Sequence, residues 1–143
     1  MRETMRVERI RNTLGNEKGQ NLVEFALVVP LLLLLVIGIA EFGRAWMAQN
    51  ILTGAAREAV RLLAVPPPDG GPTVAYNRAV AVLASAGITA DNVSVVDTPG
   101  TFGPVSVTVN YNFPLAVVGF IPGLAEATFP LSSTTTMRRE YKE

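Results

Sequence analysis

The sequence predicts an α+β protein. A long N-terminal transmembrane helix continues into a small extracytoplasmic domain with a second helix and a three-stranded antiparallel sheet. Three observations carry this expectation. Sixteen residues from Phe25 to Ala40 contain no charge, and Leu31 to Leu35 are consecutive leucines. From there to residue 64 the pattern still favours helix, with apolar side chains at spacings of three and four. Far downstream, Val105, Val107, Val109, Tyr111 and Phe113 alternate with Ser106, Thr108, Asn110 and Asn112, the period of a half-buried strand.

Taken in order, residues 1–19 are polar and charged and predict a cytosolic leader. They hold five basic side chains (Arg2, Arg6, Arg9, Arg11, Lys18) and three acids. The rest of the chain holds seven basic and nine acidic residues. Lys and Arg gathered before an apolar segment predict that the leader stays inside and the C-terminal part lies outside.

Residues 20–65 form the expected transmembrane and stalk helix. As a helix, residues 22–64 span about 65 Å, whereas a bilayer core takes ~20 residues, so the helix must project beyond the membrane. Pro30 removes one backbone bond and should kink or loosen the helix locally. In the projecting half, Leu52, Ala55, Ala59 and Leu62 form a stripe that should lie on something apolar. Asn50, Thr53, Arg57 and Arg61 fall opposite. Trp46 suits an outer interfacial anchor.

Residues 66–143 are the expected outer domain. The run Pro66–Pro72, with Asp69, Gly70 and Gly71, reads as a linker. A second helix follows over about 73–86, with Ala75, Ala79, Val82, Leu83 and Ala86 on one side and Gly87 at its C-terminal cap. Three strands come next: 92–97, 105–113 and about 127–139. Residues 99–104 form the first hairpin loop. Pro130 makes the last strand an edge strand or sits at a bulge. Residues 115–124 are an apolar loop or short helix, suited to the core, to an assembly contact or to a shallow membrane touch. About 75 residues make a modest core, so help from the long helix is expected.

Composition removes several function classes. Formal charge balances at 12 against 12, so no basic field points to nucleic acid. Without cysteine there is no disulfide and no thiolate metal site. Without histidine the commonest general base and zinc ligand are missing. Asp69, Asp91 and Asp97 sit in or beside turns, where Asp bonds backbone. No nucleophile has a base partner by spacing, and no cofactor or phosphate loop is recognisable. A non-enzyme is expected; a membrane-anchored hydrolase would need paired acids converging in a cleft.

One acid demands an account. Glu24 stands at the mouth of the apolar run, five residues after Gly19. It fits an incidental interfacial residue of a plain anchor, where an acid costs less than at the bilayer centre. A cleaved secretory signal fits less well, because no small-x-small site follows the apolar stretch. A third account comes from the string Lys18-Gly19-Gln20-Asn21-Leu22-Val23-Glu24-Phe25 ahead of an apolar helix. It resembles the processing site of type IV prepilins. The longer run VEFALVVPLLLLLVIGIAEFGRAW resembles the TadE-like family, minor pilins or pseudopilins of tight-adherence (Flp-type) pili. Glu24-Phe25-Ala26-Leu27, Pro30 with its following leucines, Gly38 and Glu41-Phe42-Gly43-Arg44 carry that resemblance over roughly residues 19–63. Beyond them only the general plan agrees.

The resemblance implies cleavage between Gly19 and Gln20 by a prepilin peptidase. It also implies assembly through Glu24 and Phe25, other pilus subunits and an assembly platform as partners, and incorporation into a pilus from the cytoplasmic membrane. Gln20 departs from the N-methylated phenylalanine of classical pilins, so methylation is not implied. A cut at Gly19 would free an ammonium at Gln20, one helical turn from Glu24. Pairing within the chain or with the next subunit would offset the cost of both charges in an apolar bundle. Glu41 and Arg44, three apart, predict either an ion pair at the helix exit or a contact with a neighbouring helix. The chain is longer than the family's short helical major pilins, which favours a minor subunit. The alternative is an unprocessed single-pass envelope protein that binds partners through its outer domain.

Overall fold

The computed structural model describes residues 17–65, 70–98, 103–116 and 127–139. Five elements appear in the order α1 (Glu17–Ala64), α2 (Pro72–Ser85), β1 (Asn92–Asp97), β2 (Pro104–Pro114) and β3 (Thr128–Arg138). The chain divides into two compact units, Met1–Ala40 and Glu41–Glu143. Helix α1 supplies the described part of the first unit and the opening element of the second.

In the first unit, α1 is apolar on every side. Leu22, Phe25, Leu27, Leu31 and Leu34 are each about two-thirds exposed or more. The helix is long and apolar enough to cross a membrane, and its most apolar window buries nothing within the chain. Pro30 lies inside the helix without ending it. Its missing N–H would be a liability at a strand centre, but here it costs one bond in a helix of 48 residues.

The second unit is a small α+β domain. Leu52, Ala55, Ala56, Ala59, Val60 and Leu63 of α1 are fully buried. They share one core with Ala75, Ala79 and Leu83 of α2 and Val105, Val107 and Val109 of β2. The expected stripe is therefore real but turned: Leu62 is half-buried, and Val60 and Leu63 take the deepest places. Five buried alanines, Ala48, Ala55, Ala56, Ala59 and Ala64, keep the helix surface low, so the backbone can approach the sheet closely.

The Pro66–Pro72 stretch is only partly a linker. Residues 66–69 lie outside the described residues, and Pro72 is already the first residue of α2, where a proline gives up no helical bond. Gly70 and Gly71 fold back on the end of α1. Gly71 N–H donates to Leu62 O at 3.1 Å, and a Cβ at Gly70 would fall 2.1 Å from Val65 O. Gly71 also has φ +114°, which side chains other than glycine's rarely adopt.

At the other end of α2, Gly87 has φ +72°. Its N–H donates to Ala84 O at 3.0 Å, and Ile88 N–H donates to Leu83 O at 2.9 Å. That pairing is the Schellman termination expected of a glycine there. Ala86 is exposed at the cap, one turn beyond the buried face, contrary to its expected place on it.

The sheet has the order β1-β2-β3, antiparallel throughout. Strand β2 is central and buries Val105, Val107, Val109 and Phe113, with Tyr111 half-buried. Strand β3 is an edge strand, and Pro130 pairs in register with Asn112, so no bulge is needed to hold it. The outward face is polar, and Thr108 and Thr134 share a hydroxyl hydrogen bond of 2.9 Å across it. Asp91 leads into β1: its carboxylate accepts from Asn112 N–H at 2.6 Å, and its own N–H donates to Asn110 O at 3.0 Å.

Candidate functional site

Three groups of residues bear on function. The first is the start of α1. Gly19 and Gln20 are helical, Gly19 half-buried and Gln20 exposed, and Glu24 lies one turn on, also exposed. Among the described residues Glu24 has no ion pair. Phe25 is 66% exposed. The structure thus presents Gln20, Glu24 and Phe25 outward rather than packing them inside this chain, and the expected partner amine at Gln20 would exist only after a cut at Gly19.

The second group lies just past the apolar run. Arg44 Nη1 meets Glu41 Oε2 at 2.7 Å and Oε1 at 2.9 Å, so both carboxylate oxygens take the same guanidinium nitrogen. The Arg44 guanidinium also lies 5.1 Å from the centroid of the Phe113 ring, within cation–π range. Phe42 and Trp46, one turn apart, stack with centroids 6.2 Å apart. A groove of about 350 Å³ opens there between α1 and the sheet, walled by Phe42, Trp46, Phe113, Leu115, Phe129 and Leu131. At its inner end Gln49 Nε2 donates to Ser132 O at 2.9 Å, while Gln49 Oε1 is buried and accepts no hydrogen bond among the described residues. Deeper along the seam, Ser133 and Thr53 hydroxyls meet at 3.1 Å. Most of the apolar stretch expected at 115–124 lies outside the described residues; Leu115, at its start, is on the groove.

The third group is at the far end of the same seam. Arg57, Glu58, Arg61 and Arg78 line an open cleft with Thr135 and Met137. Glu58 bridges to Arg78 at 2.6 Å and so ties α1 to α2. Arg57 and Arg61 carry no ion pair among the described residues.

Two features escaped sequence reasoning. Arg139 is 1% exposed, and its Nη2 donates to the Asp97 carboxylate. Residues 97 and 139 come together because Asp97 pairs with Val105 and Val105 with Met137, which puts β1 and β3 on either side of β2. Two strand spacings, about 10 Å, are within reach of an arginine. The groove also went unread, since Phe129 and Phe42 are far apart in sequence; a phenylalanine beside a strand proline was the one available hint. Among the described residues no group of three or more acids, histidines or cysteines is placed to hold a metal.

The chain matches no curated protein and no solved structure. A family model described as TadE-like protein matches residues 19–61. That match runs from the glycine ahead of Gln20, through the apolar helix and the Glu41–Arg44 pair, to Arg61: over this stretch, less than half of the chain, the sequence is similar to the TadE-like family.

Proposed function

We propose that the chain is a minor pilin or pseudopilin that takes part in assembling a tight-adherence type IV pilus. The TadE-like match, which begins at Gly19 and covers the membrane-length helix, carries this reading. In it residues 1–19 are a cytosolic leader, 20–65 the span and stalk, and 66–143 the outer domain. A prepilin peptidase cuts between Gly19 and Gln20. The new ammonium pairs with Glu24 of the same or the next subunit, and the outward-facing Phe25 packs on a neighbouring helix. Glu41 and Arg44 form a contact of the same kind further along. The role is structural, not enzymatic.

Intact mass from membranes tests the cut. A chain starting at Gln20 is expected where a prepilin peptidase is present, and Gly19→Val blocks it because a branched side chain crowds the scissile peptide. Glu24→Ala is still cut but fails to co-purify with the other pilus subunits. If Met1 is retained in wild type, the second reading takes over: an unprocessed single-pass envelope protein that binds partners through its outer domain. Orientation is tested separately. Cysteines placed at Lys18 and Thr136 should label from opposite sides of the membrane.

A further inference from the structure

The groove beside Trp46 has an occupant that the chain itself indicates. Its walls are mostly hydrocarbon: Phe42 and Trp46 from α1, Phe113 and Leu115 from β2 and its exit, Phe129 and Leu131 from β3, with the Gln49 amide at the inner end. Phe129 is 56% exposed, Phe42 69% and Trp46 62%, an apolar surface that water would not favour on a free-standing domain. Charge gathers only at the margin, where Glu41 and Arg44 are paired.

The chain reaches this groove directly from the apolar run, since Ala40 precedes Glu41. About twenty helical residues cross the hydrocarbon core; counted from Gln20 to Leu22, they end between Ile39 and Glu41. The headgroup layer adds roughly 5–7 Å on each side, about three to five residues at the helical rise. Phe42 and Arg44 fall in that layer and Trp46 at its outer edge, where aromatic rings and arginines are enriched. Phe129, Leu131 and Leu115 wall the same groove as Trp46. The groove is also small, near the lower end of the ~300–1,000 Å³ typical of ligand pockets, which suits an acyl chain rather than a helix.

We infer that the groove of Phe42, Trp46, Phe113, Phe129 and Leu131 is immersed in the outer interfacial layer of the bilayer and takes the upper part of a phospholipid acyl chain. The sheet, and not only the helix, then rests on lipid. Arg44 holds the Phe113 ring from above and faces the phosphates. This rests on the membrane-anchored part of the proposed function and not on the processing step.

The chain lacks cysteine and has a single tryptophan, so both probes are clean. The full chain is reconstituted in vesicles of phosphatidylethanolamine and phosphatidylglycerol. Spin labels are placed one at a time at Phe129→Cys, Leu115→Cys, Thr136→Cys and Leu33→Cys. Labels at 129 and 115 are expected to collide with oxygen in preference to a water-soluble nickel chelate, as at 33, with the ratio inverted at 136. In the unmodified chain, phospholipids brominated near the glycerol end should quench Trp46. If 129 and 115 meet the nickel chelate as readily as 136 while 33 remains in lipid, the inference is wrong and the anchor stands. If 33 is itself open to the chelate, the membrane reading falls with it. Unquenched Trp46, or label pairs at 129 in contact between copies, overturns the lipid assignment as well, the latter in favour of a protein occupant.

Discussion

Helix α1 contains two halves, both rich in apolar residues, with opposite fates. Between Leu22 and Ile39 the leucines, and every valine but Val29, are exposed and point in all directions. Between Leu52 and Leu63 a narrower set, rich in alanine, is wholly buried. What differs is the distribution around the axis. An evenly apolar helix cannot satisfy all its faces against one sheet, and so suits a surrounding solvent of hydrocarbon. A helix with arginines on one side and alanines on the other has one face to bury, and the small side chains let the sheet come close.

The comparison is broken most sharply by removing the same side chain from each half. Leu52→Ala or Leu63→Ala should cost the α+β domain about 2–5 kcal/mol, the range for a fully buried leucine. Leu33→Ala should leave its thermal midpoint in detergent unchanged. An equal drop from Leu33→Ala would mean that the two halves do not have separate roles.

The two regions also treat charge differently. Arg139 finds Asp97 within the domain, whereas Glu24 has no ion pair among the described residues. Asp97→Ala should destabilise the domain by about 3 kcal/mol, at the low end for a broken buried pair because Asp97 is partly exposed. Thermal unfolding followed by circular dichroism reads this directly. Glu24→Ala should leave the same melt untouched, its effect confined to incorporation with other subunits.

Overpacking is the next test. Ala56 is fully buried, and Ala56→Leu should cost about 1–3 kcal/mol by forcing helix and sheet apart. Ala40→Leu, beside the apolar run, should cost the domain nothing in the same denaturant titration. The smallest effect is a gain. Gly54 is exposed in α1 with open space where a Cβ would go. Gly54→Ala should therefore stabilise the domain by roughly 0.5–1 kcal/mol through helix propensity. Gly38→Ala, with the same open surroundings, should not move the midpoint.

Much of this was legible because it is local. The uncharged run from Phe25 to Ala40 is a length and a composition. The alternation from Val105 to Phe113 is a period of two, and Gly87 after a helical stripe is a cap signal. Each depends on residues within a few positions of one another. Leu62 and Leu63 mark the limit: both continue the helical pattern, and only the position of the sheet decides which is half-buried and which is deep. Ala86 fits the stripe by spacing but lies past the last helical turn. Gly70 and Gly71 read as linker because the close approach to Val65 O and Leu62 O is a matter of where the chain returns.

By itself, then, the sequence determined the membrane-length helix, the second helix and the strand alternation, since each follows from a repeat that neighbouring residues impose on a short stretch of backbone. The tertiary structure decided the turn of the stripe, the burial of Arg139 against Asp97, and the meeting of Phe42 and Trp46 with Phe129 and Leu131. These depend on strand register, which joins positions scores of residues apart, and no local period carries that information.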